Sequence, residues 1–207
     1  MVYISDHSLV KHYISVMRDR DTDTQTFRRM AGQVGMLLAA EALRDMPLYN
    51  VDVTTPVAEA KVPMLSGEPP VIVPVLRAGL GMTDGILQIL PFAAVGHIGM
   101  YRNEETRGPQ VYLTRLPDRI DGRLIIVPDP MLATGGSAVA AIDHIKSQGG
   151  KDIRFICIIA APEGLDALTK AHPDVDIYIG CLDEKLNEDA YIVPGLGDAG
   201  DRIFGTM

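Results

Sequence analysis

The 207-residue sequence has little or none of several features that define common classes of protein. It contains no tryptophan, two cysteines and 5% aromatic residues. Its longest apolar runs, such as residues 155–161, have the length of a strand and are too short to span a bilayer, so no membrane partner is predicted. The first residues lack a basic segment followed by an apolar one, which predicts no secretory signal. Because both cysteines fall in predicted buried strands, we expect a reducing, cytoplasmic setting.

Positive charge is also scarce. Lys and Arg number 19 against 27 Asp and Glu, which gives a formal net charge of −8. This balance argues against a general nucleic-acid binder, which carries a basic face, although a few local arginines suffice to bind phosphate. No G-x-x-x-x-G-K-[ST], H-E-x-x-H, paired C-x-x-C or G-x-S-x-G motif occurs. A standard P-loop NTPase, a zinc enzyme and a serine hydrolase are therefore disfavoured.

The centre of the chain alternates between short apolar runs and helix-like segments. Continuous runs such as Val71-Ile72-Val73 predict strands that are covered on both faces. The spacing predicts a doubly wound, mainly parallel α/β sheet flanked by helices, with ligands at the carboxyl ends of the strands. Strands are predicted near 71–76, 94–100, 123–128, 153–160 and 175–181, and helices near 80–90, 137–147 and 164–171.

The flanking segments predict a single domain with two additions. Apolar spacing predicts helices near 9–17, with Asp6 as a cap, and near 24–44. An irregular extended arm is predicted near 50–66, because prolines interrupt it. We therefore expect N-terminal helices and an arm over about 1–68, a core over about 69–182, and a C-terminal segment over about 183–207, called the hood below, which is irregular and rich in Gly and Pro over 187–207.

The most informative segment is the loop at residues 129–137. A hydrophobic strand runs into Asp129 and then into Thr134-Gly135-Gly136-Ser137, just before an Ala-rich helix. Such a turn gathers backbone N–H groups and hydroxyls at the positive end of a helix dipole, where a phosphate binds well. Asp129 could bind ribose hydroxyls or position a metal. The alternative is an ordinary connection, since Thr and Ser are common helix caps.

A second Gly-containing turn follows the first core strand, at residues 76–82. Arg77 there offers a fixed positive charge and paired donors that suit phosphate oxygens. The alternative is a helix start whose arginine faces solvent. Two such loops at one edge of a sheet favour a ligand with two separate phosphate groups.

A densely charged segment at residues 101–109 reads as an exposed loop that ends in Gly-Pro. It is either a solvated hairpin tip or a lid whose Arg102 closes over a charged ligand and excludes water.

The hood contains Gly195, Gly197 and Gly200, which match G-x-G-x-x-G only formally, since no helix and acidic residue of the required unit can follow. Its exposed backbone groups could instead read a planar heterocycle. The alternative is a structured tail.

Residues 129–137 (DPMLATGGS) resemble the phosphoribosyl-diphosphate (PRPP) loop of the type I phosphoribosyltransferases. More narrowly, nearly the whole chain resembles the uracil phosphoribosyltransferase family. That resemblance is carried in order by residues 9–12 (LVKH), 76–82 (LRAGLGM), 100–106 (MYRNEET), 160–164 (AAPEG) and 191–206.

The resemblance implies transfer of ribosyl-5-phosphate from PRPP to uracil, giving UMP and pyrophosphate. Asp129, Arg102 and Asp198 would be catalytic, and Mg²⁺ would be carried mainly by the diphosphate rather than by protein ligands. Uracil would be bound by Ile192, Gly197, Asp198 and Ala199. PRPP would be bound by Arg77, Arg102, Asp129, Pro130, Met131, Leu132, Ala133, Thr134, Gly135, Gly136, Ser137 and Asp198. A homodimer or homotetramer is expected, and some relatives respond to GTP.

The chain departs from the broader type I pattern at one place. Many members have two consecutive acidic residues where this chain has Asp129-Pro130, a loss that the uracil branch shares. Pro128 is also unexpected, because it removes a strand donor. Two alternatives remain: a type I enzyme acting on another base, such as a purine, and a related regulator that binds RNA, against which the acidic composition argues.

Overall fold

The computed structural model describes residues 1–102 and 109–206. A central parallel sheet has the strand order β1-β12-β11-β9-β4-β6, and β10 pairs with β11 at its carboxyl end. Its strands are β1 (Val2–Ile4), β4 (Val71–Ile72), β6 (Ala94–Val95), β9 (Leu124–Pro128), β10 (Met131–Leu132), β11 (Asp152–Ala160) and β12 (Asp176–Leu182).

Helices cover both faces of this sheet, so the predicted doubly wound α/β fold is confirmed. One core contains Ile156 and Ile158 of β11, and the other contains Phe155 and Cys157, because successive side chains of a strand point to opposite faces. The first core is closed by α1 (Ser8–Arg18), α2 (Thr24–Ala42), α3 (Leu80–Ile89) and α6 (Ala199–Phe204). The second is closed by α4 (Gly136–Ser147) and α5 (Pro162–Ala171). No helix in the described residues is long and apolar enough to cross a membrane.

The predicted strand at 71–76 is divided between two sheets. Val73 donates its N–H to Ile126 O on β9, but Pro74 has no N–H, and the chain then leaves the central sheet. The continuation, β5 (Val75–Leu76), pairs with β7 (His97–Arg102), which also pairs with β8 (Pro109–Arg115) in a smaller sheet. The predicted strand at 94–100 is divided in the same way at Gly96.

The arm is more regular than the sequence predicts. Strands β2 (Leu48–Thr54) and β3 (Glu59–Leu65) form an antiparallel hairpin outside the central sheet, with Pro63 opposite Asn50. The expectation of an extended arm was correct, but its irregularity was wrong, because a two-stranded ribbon tolerates proline at an edge. The hairpin exposes several large apolar side chains: Leu48, Tyr49, Val57, Met64 and Leu65.

Three smaller expectations also need correction. The cap of α1 is His7, whose side chain accepts from the Leu9 amide at 3.1 Å, and not Asp6. Cys157 is buried but Cys181 is only partly so, and both thiols are free. The hood is not wholly irregular, since it holds a hairpin of β13 (Lys185–Leu186) and β14 (Ile192–Val193) in addition to α6.

Candidate active site

Asp129 lies where β9 ends, at the carboxyl edge of the central sheet. Its amide donates to Ile156 O on β11 at 3.0 Å, which fixes the residue to the sheet. An N–H at position 128 would point to the opposite side of β9, toward β4. Because β4 ends at Ile72, no strand lies there to accept a hydrogen bond, so the missing N–H of Pro128 leaves no strand hydrogen bond unmade. This explains how a proline is tolerated at this position.

The environment of the Asp129 carboxyl favours its protonated form. Asp129 is partly buried, and burial raises the pKa of its carboxyl to about 7, while a long hydrogen bond from the Met131 amide (3.5 Å) acts weakly in the opposite direction. Among the described residues, no basic side chain forms an ion pair with it. A ligand that donates hydrogen bonds to this carboxylate would therefore stabilise its charged form.

The predicted phosphate turn forms the start of α4. Gly135 has a φ of 82°, in the left-handed region, and caps the helix without a side-chain hydrogen bond. The side chains of Thr134 and Ser137 are exposed, and in the described residues their hydroxyls have no protein partner. A side chain at Gly164 of α5 would collide with Ala133 O, so glycine there lets the helix support the loop from behind. The turn thus presents amides and hydroxyls outward, as an anion site requires.

The Arg77 turn packs directly against the end of β9. A Cβ at Gly79 would overlap Pro128 O and lie 2.8 Å from Val75 N, so only glycine allows this approach. The Leu76–Arg77 peptide is cis. The close packing brings the two predicted phosphate loops to one edge of the sheet.

The hood reaches the Arg77 turn through α6. The Arg77 guanidinium lies 3.3 Å from Asp201 Oδ1 and 5.7 Å from the centre of the Phe204 ring. A Cβ at Gly200 would be 3.8 Å from Ala78 Cβ and 4.0 Å from Arg77 Nη2. Asp198 caps α6 by accepting from the Asp201 amide at 2.9 Å. The structure therefore brings Arg77 and the Asp198 segment together, as the resemblance implies.

The four predicted uracil residues offer mainly backbone groups. Ile192 and Ala199 are buried, with 7% and 0% exposure, so their side chains belong to the core. Gly197, with a φ of 76°, and Asp198 are exposed. Neither the N–H nor the C=O of Gly197 has a hydrogen-bond partner in the described residues. Such groups are available to a polar ligand.

Two arginines that sequence reasoning missed hold the hood in place. Arg18, at the end of α1, forms a bidentate pair with Asp183, and both partners also bind the backbone of Gly195. Burial acts to raise the pKa of Asp183, but hydrogen bonds from Arg18 and the Gly195 amide bring it below its usual value. The pKa of Arg18 is raised, chiefly by its hydrogen bond to Asp183.

Arg202 of α6 makes the second tie. Its guanidinium donates to Leu196 O at 2.9 Å and to Met17 O at 2.5 Å, and it lies 4.4 Å from the centre of the Phe27 ring. Burial lowers the pKa of this group from its ordinary value. The partners of both arginines are up to 185 residues away, so no local pattern could have indicated them.

A cavity of about 700 Å³ lies between α2 and α3 and adjoins the Arg77 turn and the hood, because Leu80, Gly81, Ile203 and Phe204 also line it. Its lining includes Arg28, Arg29, Gln33 and Gln88, and none of the predicted site residues. The loops at the sheet edge, and not this cavity, carry the groups that suit a ribose phosphate. Of the predicted site residues, Arg102 alone cannot be placed, because its side chain and residues 103–108 lie outside the described part of the chain.

The fold is that of the type I phosphoribosyltransferases. The chain superposes on a hypoxanthine-guanine phosphoribosyltransferase from Bacillus anthracis with a TM-score of 0.53 at 16% identity, covering 77% of this chain and 80% of that one. It superposes far more fully on the AQ2163 protein from Aquifex aeolicus, with a TM-score of 0.93, 39% identity, and coverage of 99% and 98%.

The family follows from the sequence comparisons. The family model described as uracil phosphoribosyltransferase matches residues 4–206. A uracil phosphoribosyltransferase from Anoxybacillus flavithermus is 56% identical over 205 residues, covering 99% of this chain and 98% of the relative. The chain therefore belongs to the uracil phosphoribosyltransferase family.

Proposed function

We propose that this enzyme transfers the ribosyl-5-phosphate group of PRPP to N1 of uracil, giving UMP and pyrophosphate. One observation carries the proposal: the phosphate turn after β9, the Arg77 turn and the hood meet at one edge of the sheet. The packing of Gly79 on Pro128 joins the first two, and the approach of Gly200 to Arg77 joins the third. A substrate with a phosphate at each end and a base acceptor beside it needs these three neighbours.

PRPP would lie along the residues of the 129–137 loop. The amides and hydroxyls at the start of α4 would bind the 5-phosphate, where the helix dipole favours negative charge. Asp129 would accept hydrogen bonds from the ribose hydroxyls, which favours its ionised form and offsets its raised pKa. The remaining residues from 130 to 137 would shape this pocket.

The diphosphate would be bound by Arg77, with Arg102 contributing from the charged loop. A Mg²⁺ ion would arrive on the diphosphate, because Mg²⁺ is commonly bound through substrate phosphates with only one or two carboxylates, and Asp129 is the one carboxylate of the 129–137 loop. When bound, the ion would neutralise charge on the leaving diphosphate.

Uracil would be read by main-chain groups of the hood. Its O2, N3–H and O4 can pair with backbone N–H and C=O groups such as those of Gly197, which have no intramolecular partner in the described residues. Cytosine presents an amino donor at position 4 where uracil presents an acceptor, so it would leave a buried group unpaired. Ile192 and Ala199 would support this backbone from the core side.

The chemistry needs no nucleophilic side chain. The C1–oxygen bond to the diphosphate breaks and its electron pair leaves with the diphosphate, while uracil N1 supplies the pair for the new bond and releases its proton, which the departing pyrophosphate accepts. Positive charge builds on the ribose and negative charge on the leaving group. Arg77 and Arg102 would stabilise the latter, and the carboxylates of Asp129 and Asp198 would face the former. The prediction that the 101–109 loop acts as a lid that excludes water falls mostly on residues outside the described part of the chain and stays a prediction.

The wider organisation is also proposed. We propose that residues 1–68, 69–182 and 183–207 supply the helices and arm, the PRPP core and the uracil hood of one domain. The exposed apolar side chains of the β2–β3 hairpin favour a homodimer or homotetramer. The two free thiols favour a cytoplasmic location. A response to GTP stays a prediction from the resemblance.

The test is UMP formation from PRPP and radiolabelled uracil with Mg²⁺, with and without GTP, beside cytosine, hypoxanthine and adenine. We expect turnover of uracil alone, lost on chelation of Mg²⁺. Comparable kcat/KM values for cytosine and uracil would contradict the reading of the hood. Turnover of a purine instead would keep the phosphoribosyl chemistry and reject the base assignment. Salt-dependent RNA binding without turnover would indicate a regulator.

A further inference from the structure

We infer that Arg18 and Asp183 are positioning residues for uracil, because together they fix the backbone of Gly195, two residues before the base-contacting Gly197. The inference rests on the proposed function and adds to it a pair of side chains that touch neither substrate. It makes the base site depend on the end of α1, far from the hood in sequence.

The pair itself is rigid. Arg18 Nη1 lies 2.8 Å from Asp183 Oδ2 and Nη2 lies 2.5 Å from Oδ1, which is the two-point geometry that a planar guanidinium and a carboxylate prefer. The Asp183 side chain is 1% exposed and that of Arg18 is 23% exposed. Asp183 also donates its own amide to Ala160 O at 2.8 Å, so the pair is anchored to the carboxyl edge of β11.

Both backbone groups of Gly195 are held by this pair. Arg18 Nη1 donates to Gly195 O at 2.7 Å, and the Gly195 amide donates to Asp183 Oδ2 at 3.0 Å. Gly195 has a φ of 67°, and a Cβ there would overlap Ile192 O, so the turn between β14 and the base site is tight. Fixing both groups of one residue sets the orientation of the peptide planes on either side.

Recognition of a base by backbone groups requires that the backbone itself be held in place. A side chain can change rotamer to follow its ligand, whereas the N–H and C=O of Gly197 move only with the chain. A displacement of about 1 Å weakens hydrogen bonds and can slow the reaction of two bound substrates about 100-fold. The PRPP loops are attached to α4 and β9 instead, so loosening Gly195 should disturb uracil binding and leave PRPP binding nearly intact.

A second ion pair provides a matched control. Arg154 donates to Asp45 Oδ1 at 2.5 Å and to the backbone carbonyl of Ala42, and its side chain is 9% exposed. This pair also consists of an arginine shared between an aspartate and a main-chain oxygen, although the Asp45 side chain is 71% exposed whereas that of Asp183 is buried. It lies near the start of β11, at the opposite edge of the sheet from Asp183. Loss of either pair should lower stability, but only one should affect the base.

The experiment measures KM for uracil, KM for PRPP and kcat in full-length wild type and in Arg18→Met, Arg18→Lys, Asp183→Asn and Arg154→Met. We expect Arg18→Met to raise KM for uracil at least tenfold and to leave KM for PRPP within about twofold. Arg18→Lys, which keeps one charged donor, should recover part of the loss. Arg154→Met should lower the Tm and leave both KM values unchanged.

The outcomes separate the two proposals. If wild type turns over uracil and Arg18→Met leaves its KM for uracil unchanged, or raises both KM values equally, the positioning role is wrong and the proposed function stands. If wild type does not use uracil, the proposed function fails and this inference fails with it. Should Arg18→Met not fold, Arg18→Lys and Asp183→Asn decide, because each keeps part of the hydrogen bonding and the same uracil-specific rise in KM is expected.

Discussion

The loops proposed for PRPP and the hood proposed for uracil are fixed in space by different means. The 129–137 loop and the Arg77 turn grow directly out of sheet strands and approach each other through glycine, as at Gly79 against Pro128. The hood lies outside the central sheet and is attached to the end of α1 by the buried Arg202 and by the Arg18–Asp183 pair. Close backbone packing positions the phosphate loops, whereas the hood depends on side-chain ties in addition to the core packing of Ile192 and Ala199.

Among these variants, Gly79→Ala is expected to have the largest effect, and it tests the contact between the two phosphate loops. A Cβ there would overlap Pro128 O and crowd Val75, so the backbone of both phosphate loops must shift. We expect kcat to fall about 100-fold, since displacements near 1 Å cost that much. Overpacking should also lower the free energy of unfolding by about 1–3 kcal/mol. Steady-state kinetics and thermal melts measure both effects.

Gly32→Ala is the control for that variant. Its added Cβ would lie 3.6 Å from Gly81 O, an ordinary contact, in the middle of α2. We expect near wild-type kinetics and a slightly higher Tm, because alanine favours a helix by about 1 kcal/mol over glycine. Near wild-type activity in Gly79→Ala would show that the two loops do not depend on their close contact.

The two phosphate loops were largely predictable from the sequence, whereas the attachment of the hood was not. The loops after β5 and β9 follow from local patterns: an apolar run, a Gly-rich turn and a helix. The hairpin of β13 and β14 is only two residues per strand, too short for any periodicity. The division of 71–76 at Pro74 depends on where neighbouring strands end. The partners of Arg18 lie about 165 residues away, and only the folded chain reveals them.

Asp129→Asn, in the 129–137 loop, should lower activity while it raises stability. We expect kcat/KM for PRPP to fall at least tenfold, because the ribose hydroxyls lose a charged acceptor. The ligand-free protein should become more stable at pH 8. The folded pKa of about 7 lies above the ordinary 3.8, so the wild type loses stability as the pH rises from about 4 to 7 and the variant does not.

At pH 8 we expect the Tm of Asp129→Asn to exceed that of wild type by roughly 2–8 °C. This difference corresponds to about 1–2 kcal/mol of stability that the wild type loses by burying a charged carboxylate. It should shrink as the pH falls and approach zero below about pH 4, where the wild-type carboxyl becomes protonated in both states. Melts from pH 4 to 8 without ligand measure this. A variant that is less stable than wild type at pH 8 would show that the folded protein does not disfavour the charged form of Asp129. Unchanged kinetics would remove Asp129 from the mechanism.

Gly197→Ala tests the hood at its proposed contact with the base. The added Cβ has room, at 3.7 Å from Arg202 Cδ, but a φ of 76° strains any residue other than glycine by about 1–3 kcal/mol. We expect KM for uracil to rise about 3- to 10-fold with little change in KM for PRPP.

Gly67→Ala is its control, because Gly67 has a φ of 89° just beyond the arm and no atom lies within 4 Å of the added Cβ. It carries the same backbone strain, so it should lose similar stability and keep both KM values. An equal rise in KM for uracil in both variants would assign the effect to general destabilisation.

The smallest effect is expected where the two regions touch, at Arg77 and Asp201. Their side chains are 57% and 36% exposed and 3.3 Å apart, so the ion pair is worth less than about 1 kcal/mol. In the proposed complex the diphosphate would compete with Asp201 for the guanidinium. Asp201→Asn removes that competitor, and KM for PRPP should fall about two- to threefold at low salt, with a smaller change at high salt. A rise of tenfold or more would instead mean that the hood positions Arg77, and the two regions would then form one unit rather than two.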